Sequence, residues 1–298
     1  MSPSSSWPAL GYLLGAGALL GLNTNLARLA AQVGVGPFAL LAWSCAGAAV
    51  TLLGVASLRR RAPSPTAPFL RYSVVAALLG VVGPSLLFYA AVAHVKVGVV
   101  AIALAFPPLL TYLGALGLGM ERFARARAVG VLLALVGAAT LALLELTAPD
   151  ADVPWLVAVA VGPFLLAAGN IYRTRAWPPG VAADALAPGM LAAAAAMMLV
   201  AGLTPAFSLH VPAGLTPAAI VAAHAVSLSL MYTLYFRLQR RGGPVLLSLL
   251  GSVAAVVGVP AAIVVLDEDA PRGLPVAAGF IVTGVALVVG GARRAQTP

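Results

Sequence analysis

The chain has 298 residues, 62% of them apolar and only 8% charged, with a formal net charge of +9. Soluble domains average about 45–50% apolar and about 25% charged residues, so a soluble enzyme enclosed by one polar surface is excluded. A basic excess can mark a nucleic-acid binder, but the arginines here fill short gaps between apolar runs of about 20 residues, the length a helix needs to cross a bilayer.

Ten spans are predicted, at 8–28, 37–58, 70–93, 97–119, 126–146, 154–175, 183–203, 216–238, 244–266 and 274–292. The first begins within "MSPSSSWPALGYLLGAGALLGL", which no basic residue precedes, so it is expected to remain as helix one rather than be cleaved as a signal. Its Gly11-x-x-x-Gly15 and Gly17-x-x-x-Gly21 patterns allow close helix packing. The second holds the single cysteine, Cys45, which leaves no internal disulfide and no Cys-based metal cluster. The connections are short and carry Pro or Gly, as in "RRRAPSPTAP", "TAPDADVP" and "RTRAWPPG", and none can hold a separate soluble domain.

The charges sort by side. The gaps after spans two, four, six and eight, with the C-terminal tail, hold Arg59, Arg60, Arg61, Arg71, Arg122, Arg125, Arg127, Arg173, Arg175, Arg237, Arg240, Arg241, Arg293 and Arg294. The other side has Arg28, Lys96 and Arg272, with most of the acids. By the positive-inside rule both termini are cytoplasmic, in a cell (inner) membrane crossed many times.

Shifting the chain against itself by 147 residues lays Asn23 on Asn170, Arg28 on Arg175, Phe88-Tyr89 on Tyr235-Phe236, Glu121 on Glu268, Gly15 on Gly162 and Gly137 on Gly284. Asn and Glu occur three times each, so their coincidence at one offset points to duplication. Each half has five spans, an odd number, so the second copy enters the membrane inverted. The expected fold is an all-α polytopic membrane protein of ten transmembrane helices, arranged as two inverted five-helix repeats, 1–147 and 148–298, around a central cavity.

Residues 88–143, "FYAAVAHVKVGVVAIALAFPPLLTYLGALGLGMERFARARAVGVLLALVGAATLAL", resemble an EamA-type repeat of the drug/metabolite transporter superfamily. They share an aromatic-rich end of span three, a small-residue span four with mid-helix proline and a terminal Glu, and a glycine-bearing span five. Residues 235–289 repeat the pattern less faithfully: Asp267-Glu268 and Pro260 are present, but Pro107-Pro108 has no counterpart. The resemblance covers essentially the whole chain and is nearest to the YddG-type amino-acid exporters. It implies export of small metabolites through a central cavity.

Several residues are candidates to line that cavity. Pro84, Pro107, Pro108, Pro163, Pro188 and Pro260 fall inside spans, and the Pro107-Pro108 pair is the expected hinge. His224 is the histidine set deep in a span, with Ser227 and Met231 on its face. Asn23 and Asn170 are expected to face the opposite half rather than lipid. Trp43, Ser44, Tyr89, Tyr112, Tyr232, Ser248 and Ser252 complete the expected substrate-binding set, while Trp7, Trp155 and Trp177 fit an interfacial belt. Each also has a packing role open to it: kinks for the prolines, interhelical bonds for the amides, and a helix clamp for His224. Glu121 and Glu268 are read as solvated or paired structural acids.

No Asp, Glu, Lys or Arg lies in the middle of a predicted span, so a nearly uncharged cavity is expected, suited to neutral or zwitterionic small molecules such as aromatic or other apolar amino acids. The expected partners are that substrate and the bilayer, with no nucleic acid, no cofactor and no metal, in a monomer. An intramembrane enzyme using His224 and Ser227 would lack an orienting acid and a Gly-x-Ser-x-Gly elbow. Transport by alternating access is therefore preferred, as a proton-coupled or a facilitated step, with other small metabolites or drugs as the alternative cargo.

Overall fold

The computed structural model describes residues 6–60, 65–91, 106–144, 153–266 and 274–294. Among them the backbone is helical, with no strand. Runs of Ala, Leu, Val and Gly have no side-chain means of satisfying backbone polar groups, and a helix does so within the segment itself. Several helices open on proline, whose missing N–H costs nothing at a first turn. Pro37 starts one, Pro68 is at the second position of another, and Pro107-Pro108 starts a third.

In chain order the helices are α1 (Ser6–Gln32), α2 (Pro37–Leu58), α3 (residues 67–91), α4 (Pro107–Gly117), α5 (Arg125–Leu144), α6 (Val153–Arg175), α7 (Ala183–Ala201), α8 (Leu215–Ser248), α9 (Leu250–Leu266) and α10 (Leu274–Arg294). A π-helical turn over Leu78–Val82 interrupts α3 just before Pro84, whose lost N–H loosens the ladder there. Within α8, Gly243 has φ 70° and ψ −176°, a conformation that favours glycine, so "RGGP" turns the chain where two spans were expected to meet. Four helices are long and apolar enough to cross a membrane among the described residues: Pro37–Leu58, Ala67–Phe88, Ala183–Ala201 and Leu215–Ser248.

The Pro107-Pro108 pair occupies the first two positions of α4, after a bend at Phe106, so the helix is broken where the hinge was expected. At a helix start proline fits without loss, and the earlier part of the expected span, 97–105, lies outside the described residues. Ala103 and Leu104, whose carbonyls a mid-helix pair would free, lie outside the described residues.

The packing runs across the two halves of the chain. α1 packs on α8 and α9, while α6 packs on α3 and α4. α2 packs on α7 and α8, α3 on α7, and α5 on α10. Swapping helices five apart in this order, α1 with α6 through α5 with α10, returns these same pairs, while α8 makes further contacts with α4 and α6. α5 and α10 also run in opposite directions. A β-carbon on Gly130 would stand 2.6 Å from the Gly284 carbonyl oxygen, and one on Gly137 would stand 2.7 Å from the Ala277 carbonyl oxygen. Rising along one helix therefore descends the other, and the backbones touch where glycine removes the side chain.

That close approach predicts a position-specific cost. Gly284→Val should lower the thermal unfolding midpoint in detergent, with about 1–3 kcal/mol lost to overpacking. Gly279→Val on the same helix, where a β-carbon would meet nothing within 4 Å, should leave it unchanged.

Candidate functional site

Two groups of polar side chains are buried in this apolar bundle, and they differ in how their hydrogen bonds are met. The first is built on the last turns of α6, where Asn170 and Arg173 stand three residues apart on one face. Arg173 is 2% exposed and Asn170 7%. Arg173 Nη2 donates to Asn170 Oδ1 at 2.8 Å, and Nη1 donates to the Ala76 carbonyl of α3 at 3.3 Å. Asn170 Nδ2 donates to Thr111 Oγ1 of α4 at 3.3 Å, and the Tyr235 hydroxyl of α8 donates to Asn170 Oδ1 at 3.4 Å. Gln239 Nε2 donates to Thr174 Oγ1 at 3.1 Å and to the Asn170 carbonyl at 3.4 Å. The Tyr72 hydroxyl donates to the Arg173 carbonyl at 3.1 Å, and the Tyr235 ring lies 5.2 Å from the guanidinium carbon. α3, α4, α6 and α8 are thus tied at one place.

Glycine makes room for this cluster. A β-carbon on Gly80, inside the π turn of α3, would overlap the Arg173 guanidinium, and one on Gly169 would stand 3.1 Å from Nη1. The guanidinium is a charge buried inside the bundle, near the end of its span. Arg173 was counted with the flanking charges because it sits two residues from the end of its span, but its long side chain is drawn inward by Asn170 and by the space at Gly80. The legible signals were the Asn170–Arg173 spacing, with a rare amide as its partner, and the "LLGVVGP" stretch.

The second group is buried without partners. Asn23 of α1 is 4% exposed, and neither Nδ2 nor Oδ1 has a hydrogen-bond partner among the described residues. Ser44 Oγ of α2, His224 Nδ1 and Ser227 Oγ of α8 are likewise buried and unpaired. Helix register brings α1 and α8 together at this level. Gly15 packs at Leu234, while Ala27 and Ala30 share a cluster with Ile220 and Val221, so the two helices run in opposite directions. Asn23 then stands level with residues 224–227. Gly47, one turn beyond Ser44 on the same face of α2, packs against Ala225. An unmet buried polar group costs about 1–3 kcal/mol, so a set of them in one region calls for a ligand or water. The interhelical amide role falls instead to Asn25, whose Nδ2 donates to the Gly258 carbonyl of α9 at 3.1 Å and to its own helix at Gly21.

Other expected site residues lie elsewhere. Trp43 is 42% exposed, and its Nε1 donates to the Leu209 carbonyl at 3.0 Å, pinning the segment after α7. Tyr112 is buried with its hydroxyl accepting from the Ala124 amide at 3.2 Å, so it fixes the α4–α5 turn. Ser248 donates to the Val245 carbonyl at 2.7 Å, and a turn at Leu249 separates it from Ser252, which is buried. Tyr232 packs against Tyr235 at 5.3 Å, and the side chain of Tyr89 lies outside the described residues. Trp177 joins Tyr72 and Phe236 in an aromatic group. Glu121 is paired with Arg127, while Glu268 lies outside the described residues.

A pocket of about 380 Å³ opens beside the first group, lined by Thr174, Trp177, the 178–182 turn, Gln239 and Arg240. Gln239 and Thr174 both line it, and Gln239 also donates to the Asn170 carbonyl, so the pocket borders the α6 turn that carries the cluster.

Residues 7–143 match the sequence model of the EamA-like transporter family. No curated protein matches the sequence. A solved crystal structure superposes over 100% of both chains with a TM-score of 0.76 at 20% identity, a likeness that speaks for the fold alone.

The two polar groups should respond oppositely to apolar replacement. Asn170→Leu removes hydrogen bonds to a buried charge and should cost about 1.5–3 kcal/mol. Asn23→Leu removes an amide that has no partner and should leave the thermal midpoint in detergent unchanged or raised.

Proposed function

We propose that this chain, which carries the EamA-like transporter family in residues 7–143 and is thereby a membrane transporter of the drug/metabolite transporter superfamily, exports small neutral or zwitterionic metabolites by alternating access, with amino acids as the cargo. The unmet polar group of Asn23, Ser44, His224 and Ser227 carries the proposal. Amide, hydroxyl and imidazole atoms offer both donors and acceptors, while Leu228, Met231 and the surrounding alanines supply apolar walls. That combination suits a molecule with a compact polar end and an apolar side chain.

In this reading residues 1–147 and 148–298 are inverted five-helix repeats, with all ten helices crossing the inner membrane and both termini in the cytoplasm. The exchangeable contact pattern and the opposite directions of α5 and α10 support it. So does chemistry at equivalent places. Gly15 packs at Leu234, and Gly162, its counterpart 147 residues on, packs at Phe88, the counterpart of Tyr235. Asn23 and Asn170 then mark equivalent levels near opposite faces. One is closed by its own hydrogen bonds and the other is left unmet, an asymmetry that alternating access requires of two otherwise equivalent gates.

Counterflow in reconstituted vesicles, with a panel of labelled amino acids, nucleosides and organic cations, tests the cargo. Amino acids should exchange and the others should not. Asn23→Ala and His224→Ala should each slow exchange roughly tenfold, the size of one substrate hydrogen bond, with insertion and monodispersity unchanged. Wild-type rates in both variants would remove them from the site.

A further inference from the structure

Arg173 is a charged side chain buried in an apolar bundle, where charge is costly to bury. Its guanidinium is 2% exposed, and its described partners are all neutral: Asn170 Oδ1, the Ala76 carbonyl and the Tyr235 ring. Its Nε has no partner. Arginine keeps its charge in proteins and presents five donors in a planar fork. A buried charge met only by neutral acceptors is left without a counter-charge, whereas a carboxylate would meet it with two parallel, charge-assisted hydrogen bonds. The surroundings are shaped for the fork. Gly80 and Gly169 leave the volume that it fills, and the π turn at Leu78–Val82 sets the backbone around it.

A way in is present. The 380 Å³ pocket is bounded by Gln239 and Thr174, and Gln239 donates to the backbone carbonyl of Asn170, whose side-chain oxygen accepts from Arg173. The pocket thus borders the turn of α6 that carries the guanidinium. The Gln239 Oε1 atom is itself buried and unpaired, an acceptor at the threshold.

We propose that Arg173 binds the carboxylate of the transported molecule, which arrives through the pocket at Gln239 and Thr174. The proposal rests on the transport reading and narrows its cargo to compounds with a free carboxylate. The carboxylate displaces Asn170 Oδ1 and the Ala76 carbonyl from the Arg173 fork, and Gln239 Oε1 accepts from the ammonium group of the same zwitterion. Because the displaced bond to the Ala76 carbonyl ties α6 to α3, and the displaced Asn170 also bonds Thr111 of α4 and Tyr235 of α8, their exchange for substrate bonds loosens the closed side as the substrate enters.

Competition against labelled phenylalanine or leucine counterflow in vesicles tests this. The competitors are the unlabelled amino acid, its amide and its amino alcohol, which keep the ammonium and side chain but lack the carboxylate. In the wild type the amino acid should compete at least about tenfold better than either analogue, the scale of a lost charge-assisted hydrogen bond. In Arg173→Gln that preference should fall to about onefold. In Arg173→Lys, which keeps the charge but loses the fork, it should lie between the two, and this variant carries the test should the glutamine variant not fold. Equal competition by all three compounds in the wild type, or an unchanged preference in either variant, overturns the proposal while leaving transport standing. No counterflow of any amino acid by the wild type overturns the transport reading and this proposal with it.

Discussion

In a medium that offers no water, every polar group must find a partner inside the protein or wait for one. That constraint shapes this molecule. The backbone answers it by forming helices. The Arg173 guanidinium answers it by gathering Asn170, the Ala76 carbonyl and the Tyr235 ring from three helices, with Thr111, Gln239 and Tyr72 one bond further out. Arg173 and Asn170 can be buried only where α3, α4, α6 and α8 meet, so the cluster fixes their relative positions more narrowly than apolar contact does. Apolar contact is not directional, whereas a buried charge needs its partners at fixed places.

At the other end the constraint is met less fully. Both polar atoms of the Asn23 amide, with Ser44 Oγ, His224 Nδ1 and Ser227 Oγ, are buried without a partner among the described residues, whereas in the Arg173 cluster Arg173 Nε and Gln239 Oε1 are left over from otherwise bonded side chains. Close packing accounts for why the two ends can differ. Gly21 lets α1 lie against Ala254 and Gly258 of α9, and Asn25 closes that contact with its own bond to Gly258. Asn23, two residues earlier and pointing elsewhere on the helix, is then spared a structural task. The division of labour between two amides on one turn leaves one of them available to a ligand.

Much of this was legible in the residues and some was not. Apolar run length located the helices because bilayer thickness and the backbone's need for internal partners act on every residue of a run. Burial of both Asn23 and Asn170 followed from the cost of exposing an amide to lipid. The difference between Asn23 and Asn25 did not follow, since it depends on rotation about the helix axis and on a partner 233 residues away. Arg173 was misplaced because counting charges by their nearness to a span end ignores how far a long side chain reaches. Proline inside an apolar run reads as a break in the helix, and the bend at Phe106 before Pro107-Pro108 is such a break. Trp43 and Tyr112 bond backbone carbonyl and amide groups of turns, a pairing that composition does not reveal.

If the two amides mark gates that open to opposite sides, single cysteines placed at them must report opposite faces. The background is Cys45→Ala, since Cys45 is the chain's one cysteine. In intact cells or sealed vesicles, a cysteine at position 23 should react with a membrane-impermeant thiol reagent added outside, and a cysteine at position 170 with reagent added inside, each protected by saturating amino acid. Reaction of both from the same face, or reaction at either that amino acid does not slow, would contradict alternating access between these two sites.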